Sequence, residues 1–596
     1  MGNERFFNMK YSDLMADWLV ELGYTHCFSV GGGNIMHLTE SLSRKMEMVA
    51  VVNEVAAGIA AEYFNETSGN GKAFALVTAG PGLTNIVTAM AGAYLESREL
   101  LVIGGQAKTA DLARGLLRQR GIQEIDGVSI AKPITVCSKL IDEVLTAEDF
   151  AGLVMLGRSG RKGPVFLEIP LDIQARQVEP TSISHELISI VSSAIPRVPH
   201  ELVQQLVTKF NEANRPIVLL GGGVSRETAR DIKSRIASLG CPVMTTWNGA
   251  DRIAADEFNY LGRPNTWGQR SSNMVLQQAD FALILGSRLG LQQTGFNWQK
   301  FVPKGFVVQI DLDKTELEKG HPKVDMPILG DANQFLSEFL NEKLSPKIDW
   351  LNYAKVIRKA IPLSEEINKP REEYISPFDL VKVLSNLCSA TDVIVPCSSG
   401  SAFTSMMQVF EQKSGQTIVT NKGLASMGYG LSGAIGASFA NPDKRVILVE
   451  GDGGFSQNLQ EIGTAAINSL NIKMFILDDS GYASIRMTQK NYFGGRYVGC
   501  DRETGLGLPN WDKLFQAWEV PMMRLQPGYE STTEFLAAFE SAQPFAFIIT
   551  VDPDQTYFPK ITSRVTESGA MESNPLHLMT PDLTTEEMAL YLKYLV

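Results

Sequence analysis

Cysteine is sparse and dispersed in this chain: six residues, at positions 27, 137, 241, 388, 397 and 500, among 596. No two stand at metal-ligand spacing and no disulfide framework is apparent, so they read as reduced thiols or small core residues. Long apolar runs are missing as well. No stretch approaches the length needed to cross a bilayer, and the opening Met1-Gly2-Asn3-Glu4-Arg5 lacks a secretory apolar core. Nor is there a basic stripe. With 54 Lys and Arg against 66 Asp and Glu, the net charge is −12, which argues against a general nucleic-acid binder. These absences lead to the expectation of a large cytoplasmic enzyme, with neither membrane nor nucleic acid as partner and with room for roughly three or four domains.

What the chain does have is a series of apolar runs that end in glycine. The clearest is Arg445-Val-Ile-Leu-Val-Glu-Gly451-Asp452-Gly453-Gly454-Phe455, a strand feeding a turn that carries an acid. Leu459, Ile462, Ala466, Ile467 and Leu470 then repeat at helical spacing, and Met474-Phe-Ile-Leu-Asp478-Asp479-Ser480-Gly481 reads as a second strand ending on acids. Strand, helix, strand makes the two strands parallel. Asp452 and Asp479, 27 residues apart, then share the carboxyl edge where ligands of open parallel sheets sit. Glycine lets a backbone approach phosphate oxygens, and the N–H groups of a helix start favour an anion. A hard divalent cation takes carboxylate, carbonyl and phosphate oxygens, so Asp452, Asp479 and the Gly481 carbonyl read as a metal-diphosphate clamp. Gly-Asp-Gly alone is also ordinary turn chemistry; the second acid on a second strand end favours the clamp.

Similar punctuation recurs. Met48-Val-Ala-Val-Val-Asn53-Glu54 is a strand running into a small-residue helix with an acid at the junction, which in isolation would be a helix cap. Phe74-Ala-Leu-Val-Thr78-Ala-Gly80-Pro81-Gly82-Leu83-Thr84-Asn85 is another strand, glycine turn and helix start, and Gly31-Gly32-Gly33 follows Cys27-Phe-Ser-Val. Strand ends also fall at Gly221-Gly222-Gly223, Gly286-Ser287-Arg288 and Asp311-Leu312-Asp313. A polar, Ser- and Pro-containing connector runs from Pro170 to about Pro199, and a charged one from about Glu342 to Pro377, leaving three α/β blocks.

In the order of these segments the whole chain resembles a thiamine diphosphate-dependent enzyme of the acetolactate synthase type. The resemblance implies three doubly wound parallel-sheet α/β domains: a pyrimidine-binding domain (1–185), a central domain (199–342) and a diphosphate and metal domain (376–555). A tail (556–596) either covers the active site or packs on the surface. The resemblance further implies thiamine diphosphate and Mg2+, with Asp452, Asp479 and Gly481 on the metal and Gly451, Gly453, Gly454, Tyr482 and Ala483 around the diphosphate. The family has Asn where Asp479 stands, so an extra negative charge is expected there. Ser399, Gly400 and the Ala425 carbonyl are further cofactor contacts by the same likeness, and Met427 props the cofactor in a bent shape; the alternative for Met427 is a core methionine. From the first domain, Glu54 contacts the aminopyrimidine, Pro81 and Asn85 line it, Gly32 faces the reacting carbon and Gln123 reaches into the site. Cys397 is assigned a structural role, because the implied chemistry needs no protein nucleophile.

In acetolactate synthase-like proteins the central domain binds FAD, and the matching positions are Arg161, Gly222, Thr246, Gly262, Arg288 and Asp311. Relatives without FAD keep the same fold as scaffold, and both readings stand. The implied activity is decarboxylation of a 2-oxo acid, pyruvate foremost, with transfer of the acyl unit to a carbonyl acceptor. It is expected in a homodimer or homotetramer with active sites between subunits. Typical members carry a tryptophan after the metal motif and an arginine in the central domain. This chain has Ser484-Ile485-Arg486-Met487-Thr488 and Gln292 there, so the expected acceptor is non-standard, a ketone or a keto-sugar. Arg486 is either an anion contact or a solvated helix charge. Two rival readings are a decarboxylase that releases an aldehyde, for which only His37 and His26 offer N-terminal proton donors, and a non-catalytic homologue, which would have lost Glu54 or an acid of the clamp.

Overall fold

The computed structural model describes residues 9–184, 195–565, 569 and 571–595. The opening Met1 to Arg5 and residues 185–194 of the Ser- and Pro-containing connector lie outside the described residues. Three sheets carry the fold, and every strand pair within them is parallel. The first has the spatial order Glu47–Ala50, Tyr24–Ser29, Lys72–Val77, Leu100–Gln106, Pro164–Pro170, Cys137–Leu140. The last has Thr417–Ile418, Val393–Val395, Val446–Gly451, Ile472–Asp478, Phe545–Thr550, Met522–Leu525. Counted along the chain, both read second, first, third, fourth, sixth, fifth. The central sheet, Val243–Thr245, Pro216–Leu220, Phe281–Leu285, Phe306–Asp311, Met326–Leu329, follows the same rule with one strand fewer. Runs such as Leu100–Gln106 and Pro164–Pro170 are buried throughout, as strands covered by helices on both faces must be.

In all three sheets the winding reverses between the first and third strands, and that switch point is where open α/β sheets leave a crevice for ligands. The outer two blocks share one core, because helix Glu54–Thr67 packs against helix Tyr429–Ala440. Small residues permit the approach: a Cβ on Gly436 would lie 2.0 Å from the Ala60 carbonyl oxygen, and one on Gly433 would strike the Tyr63 ring at 2.4 Å. The fully buried Glu62 accepts hydrogen bonds from Arg98 (2.8 Å), Asn421 (3.1 Å) and Tyr429 (2.9 Å) at this contact. Arg226 ties in the central block, donating to Asp251 (2.6 Å), the Glu66 carbonyl (2.7 Å) and the Ile418 carbonyl (2.9 Å). Each of these buried charges is thus paired and hydrogen-bonded, the condition under which burial is tolerated.

Two local expectations change. The charged connector contains helix Ile348–Ala360, whose Trp350, Leu351, Ala354 and Ile357 are buried against the central block; their helical spacing was hidden among charges. Between Asp452 and Asp479 the helical segment is a turn at Leu459–Glu461 followed by the six residues Ile462–Ile467, and Ile467 is 85% exposed. The tail packs on the central block through Leu576, Met588 and Tyr591, with Arg270 donating to the Met579 and Pro581 carbonyls. Among the described residues no helix is long and apolar enough to cross a membrane.

Candidate active site

At the switch point of the last sheet, strands Val393–Val395 and Val446–Gly451 are neighbours. Their carboxyl ends run into Cys397-Ser398-Ser399-Gly400 and Asp452-Gly453, with Asp478-Asp479 at the end of the next strand. The Asp452 carboxylate links two of these ends, accepting from Gly453 N (2.7 Å) and Gly481 N (3.0 Å). Packing demands glycine at both donors. A Cβ on Gly453 would meet the Tyr482 ring at 2.4 Å, and one on Gly481 the Cys500 carbonyl at 2.1 Å.

Asp452 and Asp479 are buried. Burial, reinforced by the charges of Asp479 and Asp478, holds the Asp452 carboxyl well above the usual range. Burial also pushes Asp479 up to about 6, even though Arg486 pulls it down. Arg486 donates to the Asp479 carboxylate (2.6 Å) and carbonyl (2.9 Å) and is itself buried. It is therefore not a solvated helix charge. Its guanidinium offsets the charge that Asp adds where the family has Asn. Two buried acids on adjacent strand ends, one of them paired with a guanidinium, form a hard-oxygen set that a divalent cation would satisfy. Among the described residues no cluster of three or more His, Cys, Asp or Glu could hold a metal by itself, so a carbonyl and phosphate oxygens would have to complete the shell.

Ser399 and Gly400 open helix Gly400–Val409, which offers its amino end to the same edge. Around it Cys397, Ala425 and Ser480 hold φ of 45°, 56° and 63°, left-handed backbone that costs a non-glycine residue about 1–3 kcal/mol and gathers at functional sites. Met427 is 38% exposed, so the core-methionine alternative fails. Burial raises the Cys397 thiol, the behaviour of an inert structural cysteine.

In the first block, Asn53 caps helix Glu54–Thr67, and Glu54, 8% exposed, accepts from Asn85 at 2.9 Å. Gly80 has φ 65°, and a Cβ there would strike the Gln123 carbonyl at 2.3 Å; Gln123 itself has φ 59° and its side chain is exposed. A Cβ on Gly32 would meet Thr78 at 2.3 Å, and Pro81 opens helix Pro81–Glu96. The predicted segments of this block therefore converge on one carboxyl edge. Sequence reasoning missed Glu461, whose carboxylate accepts from Val52 N (3.1 Å) and Asn53 N (3.0 Å) and so fixes the loop before Glu54 to the last block. Its signal was an acid inside an apolar segment. His26 is engaged with Glu47 at 3.2 Å and packs its ring, tilted, against Phe64, a structural setting.

In the central block, Gly222, Thr246 and Arg288 follow the carboxyl ends of three strands and Asp311 is the last residue of a fourth, adjacent one, and the Gly262 carbonyl accepts from Thr245 N at 3.1 Å. Arg161 reaches this edge from the first block, bonding to Asp313 and lying 3.2 Å from Glu316. Between the central and last blocks lies a cavity of about 210 Å³, lined by Trp247, Trp267, Gln292, Lys422, Ser484 and Tyr557 among others. Sequence reasoning had singled out Gln292, Gly400 and the Ser484–Thr488 segment among the lining residues, but not Trp247, Trp267 or Tyr557.

Three family models cover this arrangement: "Thiamine pyrophosphate enzyme, N-terminal TPP binding domain" over residues 9–130, the central domain of the same enzymes over 203–339, and their C-terminal TPP binding domain over 398–550. The chain belongs to the thiamine pyrophosphate enzyme family. It is an acetolactate synthase-like member that uses thiamine diphosphate. Its relatives include the acetolactate synthase large subunit of Lactococcus lactis, 27% identical over 560 residues and covering 92% of this chain and 94% of that protein. A probable acetolactate synthase large subunit of Methanocaldococcus jannaschii is 28% identical over 559 residues, covering 91% and 92%. The isozyme 1 large subunit of Escherichia coli is 27% identical over 487 residues, covering 81% and 84%. In this family setting the three sheets correspond to the N-terminal, central and C-terminal domains.

Proposed function

We propose that this cytoplasmic enzyme is a carboligase that decarboxylates a 2-oxo acid, pyruvate foremost, and passes the acyl unit to a ketone or keto-sugar acceptor. The observation that carries the reading is the buried Asp452–Asp479 pair on adjacent strand ends, beside a cavity lined by Gln292 and by Ser484, Met487 and Thr488 of the segment that stands where typical members carry a tryptophan. Thiamine diphosphate supplies, when bound, the electron sink for both steps.

Around that group the residues divide the work. Asp452, Asp479 and the Gly481 carbonyl would hold Mg2+, while Gly451, Gly453, Gly454, Tyr482, Ala483, Ser399 and Gly400 would cradle the diphosphate. Met427 would support the cofactor's bend. The Ala425 carbonyl, Pro81, Asn85 and Glu54 would hold the aminopyrimidine, where Glu54, positioned by Asn85, would move a proton at a ring nitrogen. Gly32 and Gln123 would face the substrate. The units would be 1–185 for the pyrimidine, 199–342 as central domain and 376–555 for the diphosphate, with 556–596 as tail.

Leu116, Leu117 and Ile122 are 88%, 60% and 84% exposed beside Gln123, and Tyr492, Phe493 and Val498 are 66–67% exposed beyond the metal motif. Apolar patches flanking both halves of the site support a homodimer or homotetramer with active sites between subunits. FAD would sit along Gly222, Thr246, Gly262, Arg288 and Asp311. Arg161 would then have to exchange its Asp313 contact for the flavin nucleotide.

Purified protein incubated with Mg2+, thiamine diphosphate and pyruvate, with and without FAD and an added ketone or keto-sugar, tests the reading by mass spectrometry of all products. Acetolactate or an acetyl adduct of the added acceptor is expected. Acetaldehyde as sole product would refute ligation.

A further inference from the structure

The cavity beside the clamp is furnished with donors that have no acceptor. Trp247 Nε1 is buried without a hydrogen bond, and Tyr557 Oη lies near Ser401 but makes none of acceptable geometry. Lys422 lines the same space with its ammonium over the Trp247 and Phe403 rings, 5.9 and 5.0 Å from their centroids. Behind the wall formed by Trp267 and Met487 stands Lys560, 9% exposed. Its Nζ reaches the Met487 sulfur at 3.4 Å and the faces of Trp267 and Phe558. Neither lysine has an ion pair with an acid among the described residues. Glu96, whose charge Lys422 feels, is engaged by Gly423 N and Asn248. Among the described residues no Asp or Glu lines the cavity.

Burial lowers both ammonium groups, for Lys422 against the opposing charge of Glu96 and for Lys560 with no charge opposing it. A cation withdrawn from water without an ion pair is costly, and a chain that keeps one partly buried (Lys422) and one buried (Lys560) beside one cavity stands to gain from a ligand that brings the missing negative charge. The space amounts to roughly seven waters' share of volume, enough for a small oxo acid or part of a short sugar phosphate. Two indoles offer flat apolar faces to its carbon skeleton.

Resting on the carboligase reading of this site, the geometry points to an acceptor that carries an anionic group, carboxylate or phosphate, seated on Lys422 between Trp247 and Tyr557. Lys422 is then the specificity-determining residue for the acceptor, and Lys560 adds positive field from behind the wall.

The test uses the holoenzyme saturated with Mg2+ and thiamine diphosphate, and reads quenching of tryptophan fluorescence by two matched pairs: 2-oxobutyrate against butanone, and fructose 6-phosphate against fructose. The charged member of at least one pair should bind at least tenfold tighter, and which pair does so tells carboxylate from phosphate. Lys422→Met should cut that advantage by about tenfold to a hundredfold, the worth of one hydrogen bond to a charged group, whereas Lys422→Arg should keep most of it. Equal binding of charged and neutral members, no binding by any of the four, or equal weakening of both members in Lys422→Met overturns the inference. So does a Lys422→Met effect confined to the KM for pyruvate in an acceptor-free assay, which would assign the cation to the donor. Because binding is read without turnover, a protein that selects the charged ligand but forms no ligation product supports this inference while refuting the carboligase activity.

Discussion

Lowering the pH from 7.5 to 5 should weaken binding of Mg2+ and thiamine diphosphate through Asp479. Its carboxyl is held at about 6 because burial outweighs the Arg486 contact. A cation binds only the ionised form. One pH unit below 6 about a tenth of the population is ionised, so affinity should fall about tenfold, roughly 1.4 kcal/mol. Asp452, also held well above its ordinary value, adds a second proton to the same dependence. The sign for stability follows from linkage. A folded-state pKa raised above the unfolded 3.8 gives a contribution that is full below 3.8 and lost as pH rises through about 6. Rising pH therefore costs the apoprotein stability at this site while it favours cation binding, so the thermal shift produced by Mg2+ and thiamine diphosphate should grow from pH 5 to 7.5. The assay is a tryptophan-fluorescence titration across that range with wild type and the double variant Asp479→Asn, Arg486→Met. Removing both partners avoids leaving a lone buried guanidinium, which would cost about 3–5 kcal/mol. The diphosphate's own titration is common to both proteins, so the variant's curve should be shallower by about one proton near pH 6. Parallel curves would refute the assignment.

Three further outcomes are expected. Glu54→Gln should lower turnover by a factor on the order of 10²–10⁴ while thiamine diphosphate still binds, as judged by CO2 release beside a binding titration; full activity would sink the proton role. Met427→Ala should reduce kcat with little change in urea midpoint, since the side chain is 38% exposed; a loss of about 2–5 kcal/mol would instead return it to the core. Gly436→Ala, whose Cβ would lie 2.0 Å from the Ala60 carbonyl oxygen, should destabilise by about 1–3 kcal/mol or more, whereas Gly152→Ala, with nothing within 4 Å, should leave the midpoint unchanged or raised.

The parallel α/β class was legible because strands such as Val446–Gly451 and Ile472–Asp478 announce their ends with glycine and acid. Strand order was not. Leu100–Gln106 and Pro164–Pro170 are uniformly apolar and buried, so nothing in either run names its neighbour, and pairing is fixed by helices that pack across both faces. The clamp was legible as a spacing; the fate of Arg486 was not, since only a turn of particular geometry folds the Ala483–Phe493 helix back onto Asp479. The cavity was illegible for a different reason. Trp247, Lys422 and Tyr557 come from separate parts of the chain and carry no common motif, and only the docking of the blocks makes them neighbours.

The three sheets share one winding rule, yet their switch points are not equivalent, and the glycines show why. Along the outer blocks, a Cβ on Gly31, Gly33, Gly400 or Gly451 would meet nothing within 4 Å. These backbones face open space, where their N–H groups can meet a ligand. In the central block the glycines face each other: a Cβ on Gly221 would lie 2.1 Å from the Gly286 carbonyl oxygen, and one on Gly223 would lie 2.8 Å from the Gly286 Cα. Absence of a side chain there serves backbone-on-backbone packing between the first and third strands and closes the crevice that the topology would otherwise leave. A nucleotide at the central edge would therefore have to lie along the exposed Gly222 and Arg288 instead of entering between the strands. The same strand order thus leaves open backbone at its edge in the outer two blocks, at Gly31, Gly33, Gly400 and Gly451, and packs that backbone against itself at Gly221, Gly223 and Gly286 of the central one.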